Sequence, residues 1–200
     1  GGFAVTAPPK WAAAFSSAEH AWGTPQGVVD AIAAELGLAF VLDAAALPHS
    51  AKAERWIGPP DCPERYGLAG RDALTMPRWD RGVTFKHGDA VFLNPPYGRE
   101  AGAFVGKAKE QARICGVPVV VLTFMRCDTA WWHAHAFEAA AWIAIKGRIG
   151  FQAPPWMDAT PATAPAPSVA LVFLPYVLAG GPQVIPLEIP AAVRRGRVGS

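Results

Sequence analysis

The chain has 200 residues, 52% of them hydrophobic and 17% charged, a balance that excludes a disordered polymer and suits one globular domain spanning 1–200. Eighteen Lys and Arg against sixteen Asp and Glu leave a formal net charge of +2, so no global field announces a nucleic-acid partner, while a local basic face stays open. Cys62, Cys115 and Cys127 are odd in number, far apart and without zinc spacing, which reads as a reduced, intracellular protein with no metal site. No window approaches the roughly 18 consecutive apolar residues of a membrane span, and the first residues lack the charged-then-apolar order of a signal peptide, so no membrane partner is expected.

Residues 1–21 are Ala-rich, carry Pro8-Pro9 and show no clear period, and they read as a flexible arm. Thr24-Pro25 then offers an N-cap and a first-turn proline. Val28, Ile32 and Leu36 recur at four-residue spacing and Gly37 provides the stop, which predicts a helix of about three turns. Leu38 to Leu42 is a short continuous apolar run ending on Asp43, as in a strand buried on both faces of a parallel sheet. From 47 to 88 proline and glycine dominate, and only Gly67-Leu68-Ala69 and Val83-Thr84-Phe85 stand out as strand candidates.

Ala90 to Leu93 predicts a second buried strand. A helix follows from about Glu100 to Cys115, with Ala101, Phe104, Val105 and Ala108 on one face, Lys107, Lys109, Glu110 and Arg113 on the other, and Gly116 closing it. Val117 to Phe124 is the most β-rich run of the chain, and Asp128-Thr129 then caps a helix through Trp132, Ala136 and Ala139. Ala141 to Ile145 and Ser168 to Leu174 read as further strands. Between them, Phe151 to Pro167 is a proline-rich surface loop long enough to be a target-recognition element, and residues 190–200 end in a basic tail with Arg194, Arg195 and Arg197.

Strands alternating with helices predict an α/β fold with a doubly wound, mostly parallel sheet and helices on both faces, in which ligands bind at the carboxyl ends of strands. Two polar residues stand at such ends, Asp43 and Asn94. Aspartate after a strand is also a common turn residue, and one proline would suffice to end a strand. The second proline of Asn94-Pro95-Pro96-Tyr97 adds rigidity: it locks the backbone that carries the amide. An Asn carbonyl and the carbonyl of the next residue can each accept one N–H of a planar exocyclic amine, leaving its lone pair free for an electrophile. A tyrosine two residues further can stack on the base that bears the amine once that base has left its duplex.

Asn94-Pro95-Pro96-Tyr97 after a strand resembles the catalytic motif of S-adenosylmethionine-dependent amino methyltransferases acting on adenine, cytosine or protein glutamine. Trp22-Gly23-Thr24-Pro25, Leu42-Asp43-Ala44-Ala45-Ala46 with Ser50-Ala51-Lys52, and Asp72-Ala73-Leu74 with Trp79 precede it. Asp128-Thr129-Ala130-Trp131-Trp132-His133, Gly147-Arg148-Ile149-Gly150-Phe151 and Pro167-Ser168-Val169 follow. In this order the blocks, from about Trp22 to Pro175, resemble the phage-type DNA N6-adenine methyltransferase (Dam-like) family, whose domain is the Rossmann-like class I methyltransferase fold.

The resemblance implies S-adenosyl-L-methionine as cofactor, with Trp22, Thr24, Pro25, Asp43, Ala44, Ala45, Ser50 and Asp72 on its site. Thr24-Pro25 would hold the methionine end, Asp43 would accept from its ammonium, and Asp72 would face the ribose or adenine. Asn94 and the Pro95 carbonyl would grip the target amine, Pro96 would fix the turn, and Tyr97 would stack on a flipped adenine of double-stranded DNA. Arg99, Arg126 and Arg148 are candidate DNA contacts, with Lys86 and Lys146 nearby in sequence to strand ends, and Phe151 is a candidate for the far side of the base pocket or for DNA contact. A phage or prophage protein would work in the cytoplasm of a bacterial host cell. Two departures stand out: Asp43-Ala44-Ala45-Ala46-Leu47-Pro48 lacks the glycine-rich turn general to the class, and Ser50 stands where the family usually has Asn. RNA or protein glutamine as acceptor, and an inactive DNA-binding module, are the alternatives.

Overall fold

The structure, a computed structural model, describes residues 22–157 and 162–196. The expected arm at 1–21, the tip of the Phe151 to Pro167 loop at 158–161, and Arg197 lie outside these residues.

Ten strands are formed among the described residues: β1 (Ala39–Asp43), β2 (Arg55–Gly58), β3 (Leu68–Arg71), β4 (Asp89–Leu93), β5 (Val119–Phe124), β6 (Ala141–Ile145), β7 (Gly150–Phe151), β8 (Ala162–Thr163), β9 (Ser168–Phe173) and β10 (Gln183–Leu187). Eight of them build one sheet in the order β10-β6-β9-β5-β4-β1-β2-β3, and the predicted α/β doubly wound architecture is found. Each pairing in it is parallel except those of β9, which runs against β5 and β6. β7 and β8 make a separate antiparallel pair, so the proline-rich loop is partly built structure.

Helix α1 (Gln26–Leu36) packs on one face of the sheet, with Val28, Val29 and Ile32 against Phe92, Val120, Leu122 and Ile143. α2 (Ala101–Cys115) and α3 (Ala130–His135) cover the other, with Phe104, Val105 and Trp132 against Val91, Leu93, Val119 and Leu171. Neighbouring residues of β4 and β5 therefore divide between two cores, which is why both strands read as unbroken apolar runs. A fourth helix, α4 (Ala191–Arg194), is a single turn. Gly37 closes α1 at φ 62°, a left-handed position that glycine adopts without strain, and its N–H and that of Leu38 bond back to Ala34 and Ala33.

Several expectations are corrected. Val83-Thr84-Phe85 is irregular, whereas β2 and β10 were not foreseen. Thr24 does not cap α1: Pro25 holds the N-cap position and no side chain caps it. Thr129 is the N-cap of α3, but its hydroxyl donates to the Arg126 carbonyl at 2.7 Å rather than accepting from the helix, and α3 stops at His135, with a 3-10 turn over Ala136–Glu138. The 47–88 region is held by side chains instead of regular elements. Buried Gln111 of α2 accepts from the Trp79 amide at 2.9 Å and donates to the Pro77 carbonyl at 3.0 Å. Gln111→Leu leaves that buried N–H unpaired and is expected to lower unfolding free energy by about 2 kcal/mol, measurable by urea denaturation.

Candidate active site

The connection reverses direction between β1 and β4: β2 and β3 lie to one side, and β5 and its neighbours to the other. Such a switch point leaves a crevice outside the carboxyl ends of the two central strands. Asp43 is the last residue of β1 and pairs in register with Phe92, so Asn94, just past the end of β4, lies at the same edge one strand over.

Asp43 is 3% exposed. Its two oxygens accept from the amides of Ala45 (3.3 Å) and Lys52 (3.0 Å), which fold the β1–β2 connection back over the strand end. Burial pushes its carboxyl up to about 6, and those amides with the Lys52 charge pull the other way. The missing glycine-rich turn now has a physical explanation. Among the described residues Asp72 is the only non-glycine with positive φ, so Ala44, Ala45 and Ala46 complete this turn without the left-handed region. Their methyl groups keep it compact, and Ala44 and Ala46 are buried. Ser50, the second departure, spends its hydroxyl on the turn itself, accepting from the Leu47 amide at 3.2 Å.

Asn94 sits in a three-residue chain of hydrogen bonds. Its amide nitrogen donates to Thr24 Oγ1 at 3.0 Å, and its carbonyl accepts from the Tyr97 hydroxyl at 2.9 Å. The side-chain oxygen of Asn94 therefore faces Tyr97, while its nitrogen faces the start of α1. A carbonyl oxygen has two lone pairs, so one acceptor site remains beside the tyrosine. Pro95 and Pro96 are buried and fix the backbone between these two side chains. Burial holds the Tyr97 phenol above its ordinary range, with the bond to Asn94 opposing, so Tyr97 stays a neutral donor.

The Tyr97 ring lies flat on Phe124, with centroids 4.2 Å apart and planes 12° from parallel, and Phe151 meets it edge-on at 5.6 Å. Phe124, the last residue of β5, was missed in the sequence because it reads as the end of an apolar strand. Phe151, a candidate for the far side of the base pocket or for DNA contact, is 4% exposed and belongs to this aromatic cluster behind the tyrosine. Its neighbour Gln152 exchanges two backbone hydrogen bonds with Gly23, tying the loop to the segment that carries Thr24. Trp156, further along, packs edge-on against His49 of the β1–β2 connection.

Two adjoining hollows open at this edge. The inner one is lined by Trp22, Thr24, Asp43, Ser50, Lys52 and Asn94, among others. The outer one, of about 590 Å³, is lined by Ala44, Pro59, Asp72, Leu74, Arg99 and Phe104, among others, and shares Ala45, Ala46, Pro96 and Tyr97 with the first. Asp72 follows β3 with φ 57°, its amide bonded to the Gly58 carbonyl, which turns it toward the outer hollow. Pro25 is buried at the head of α1 and is not among the lining residues.

The basic residues divide. Arg99 is exposed and lines the outer hollow. Arg126 and Arg148 are exposed beyond the carboxyl ends of β5 and β6, although Arg126 is paired with Asp128 at 3.3 Å. Lys146 lies at the same edge but is paired with Glu188. Lys86 precedes β4 and therefore sits at the opposite, amino edge of the sheet. Arg194 donates to the carbonyls of Arg148 (2.7 Å) and Ile189 (3.1 Å), so this part of the basic tail anchors the chain end. Among the described residues no group of three or more His, Cys, Asp or Glu is placed to hold a metal ion, and no helix is long and apolar enough to cross a membrane.

A doubly wound, mostly parallel sheet with one antiparallel strand beside β5, whose two central strands end on Asp43 and on Asn94-Pro95-Pro96-Tyr97, defines a Rossmann-like methyltransferase fold. The family model described as DNA N-6-adenine-methyltransferase (Dam) matches residues 13–185, and the chain belongs to that family. No curated protein matches it.

Proposed function

We propose that this protein transfers a methyl group from S-adenosylmethionine to the N6 amine of adenine in DNA, taking the base from the duplex into the edge pocket at Tyr97. The observation that carries the reading is the oriented amide of Asn94, held from one side by Thr24 and from the other by Tyr97 at the mouth of a cleft beside a buried carboxylate. The chain's membership of the DNA N-6-adenine-methyltransferase family supports the choice of acceptor.

The residues present fit the cofactor. Asp43 is a buried carboxylate that gains from a cationic partner, and the adjoining outer hollow, with Asp72 at its wall, has room for a nucleoside. When bound, S-adenosylmethionine supplies a methyl group already activated by its sulfonium, so no metal and no strong base is required. The chain's own work is positioning. Asn94 Oδ1 and the Pro95 carbonyl would accept hydrogen bonds from the two N–H groups of the amine, leaving its lone pair free for the methyl group. As the new N–C bond formed and the methyl C–S bond broke, its electron pair going to sulfur, the positive charge moving onto the amine would be met by those two carbonyl dipoles, and the extra proton would leave to water. Tyr97 offers one face to the base, with Phe124 backing the other. Arg99, Arg126 and Arg148, at the same edge, are the residues we assign to the phosphates.

Tyr97→Phe retains the stack and loses the hydroxyl that fixes the Asn94 carbonyl. It is expected to lower kcat by about tenfold with little change in KM for DNA, whereas Tyr97→Ala raises that KM by at least about tenfold, in steady-state assays with a synthetic duplex. Acceptor choice is tested by competition: with labelled cofactor and equal DNA, RNA and glutamine-containing peptide, label should enter the DNA. Label entering the RNA or peptide instead would overturn the reading.

A further inference from the structure

The inner hollow has a charge pattern that the reaction does not need but a particular ligand end does. Among the described residues that line it, two side chains are charged, Asp43 and Lys52, and they carry opposite signs. The rest are apolar or neutral polar groups such as Trp22, Thr24, Ser50 and Asn94. Lys52 closes the Ser50-Ala51-Lys52 block and has had no role so far; the fold brings it to the site because its amide bonds to Asp43 Oδ2 at 3.0 Å, nine residues back along the chain.

Its ammonium is in an unusual state for a surface lysine. The side chain is largely withdrawn from water, and burial lowers its proton affinity while Asp43 and Asp30 oppose the shift from a distance. Among the described residues it makes an ion pair with neither carboxylate. Asp43 uses its oxygens on two backbone amides, and Asp30 accepts from Gln26 at 2.9 Å. A half-buried cation with no close anionic partner among the described residues is costly, and a ligand anion seated against it recovers part of that cost.

We propose that Lys52 recognises the carboxylate of the amino-acid end of S-adenosylmethionine, so that Lys52 and Asp43 together form a site for a zwitterion. The inference rests on the cofactor reading above and deepens it: Asp43 would accept from the ammonium, and Lys52 would donate to the carboxylate of the same amino-acid end. Trp22, Thr24 and Ser50 complete the walls. The consequence is selectivity for a cofactor with an intact amino-acid end over analogues that keep the sulfonium and the amine but lack the carboxylate.

The test compares two ligands on two proteins by isothermal titration calorimetry, with the full chain and no acceptor DNA. The ligands are S-adenosylmethionine and its decarboxylated form, which differ only in the carboxylate. The wild-type protein should bind the first at least about tenfold more tightly, a difference of about 1.4 kcal/mol. In Lys52→Met that preference should collapse to within about twofold, with the loss falling on S-adenosylmethionine alone, and Lys52→Arg should restore it. A preference that survives unchanged in Lys52→Met, with both ligands weakened equally, would assign Lys52 to holding the β1–β2 connection and overturn the proposal. If Lys52→Met does not fold, as judged by its thermal melt, Lys52→Gln takes its place with the same two outcomes. Failure of the wild-type protein to bind either ligand would instead overturn the cofactor reading itself, and the Lys52 proposal with it.

Discussion

Asn94→Ala should abolish methyl transfer to DNA, by about 10³-fold or more in kcat, while the dissociation constant for S-adenosylmethionine changes by less than about threefold. The size follows from removing an oriented polar group that acts on charge developing in the reaction, which typically costs about 10²–10³ in rate, about 3–4 kcal/mol. In the proposed reaction the same side chain would also position the amine, so the upper end is expected. The small effect on the cofactor follows from the direction of the amide: its nitrogen points to Thr24 and its oxygen to Tyr97, and neither bond is made by Asp43 or Lys52. Stability should also fall, by about 2 kcal/mol, because Thr24 is 1% exposed and the Tyr97 phenol is largely buried, so each hydroxyl loses this partner where water replaces it poorly. Single-turnover assays with calorimetry on the same preparation separate these quantities. Equal loss of cofactor affinity and rate would move Asn94 from the acceptor side of the site to the cofactor side.

Asp43→Asn should have the opposite signature: weaker cofactor binding by about 10²-fold, with stability unchanged or raised at neutral pH. The carboxyl is buried and its charged form is disfavoured, so its folded-state value of about 6 stands above the ordinary 3.8. Between those two values the folded chain holds a proton that the unfolded chain has lost. Folding is therefore favoured by acid in this window, and the contribution of Asp43 to stability falls as pH rises through about 6. Above that pH the ionised carboxylate costs the fold about 3 kcal/mol, a cost that the neutral amide of the variant would not carry. Its NH2, however, leaves one of the two backbone amides without an acceptor and takes back about 2 kcal/mol of that gain. A cationic ammonium seated on the carboxylate, as proposed, would offset the same cost, and a group that weakens the free protein would then serve the loaded one. Two measurements follow. Cofactor affinity should decline as pH drops below about 6, where Asp43 takes up its proton, and this decline should be absent from Asp43→Asn. The melting temperature of the variant at about pH 8, above the range in which Asp43 titrates, should equal or exceed that of the wild-type protein. A variant that melts well below wild type there while binding cofactor normally would make Asp43 a structural turn residue.

Much of this site was legible because its two anchors interrupt strong patterns. Asp43 and Asn94 each end an apolar run, and a polar residue after a strand buried on both faces has few places to be other than the carboxyl edge of the sheet. Lys52 was not legible in the same way: its position depends on how the connection after β1 folds back, through one backbone bond to Asp43. Phe124 was hidden for a different cause, and Phe151, expected at the base pocket or on DNA, was not expected against the tyrosine. As large apolar residues they fit a strand end and a loop start equally well, and only the packing shows that they back the tyrosine.

Among the strands, the same contrast holds. β2 is four residues long and begins on Arg55, so no period marks it, and β10 carries Pro186 and exposed Val184, as suits an edge strand. Val83-Thr84-Phe85 has β-forming residues but pairs with no strand among the described residues, so intrinsic preference alone does not make it one.

The most direct test of the account is the chemical identity of the methylated product. The purified chain is incubated with S-adenosylmethionine carrying a labelled methyl group and with mixed-sequence duplex DNA, and the DNA is digested to nucleosides and separated by mass spectrometry. The expected result is label in N6-methyldeoxyadenosine, and none when Asn94→Ala replaces the wild-type protein. Label in a methylated deoxycytidine, or no label in any nucleoside from a protein that calorimetry shows to bind the cofactor, would contradict it.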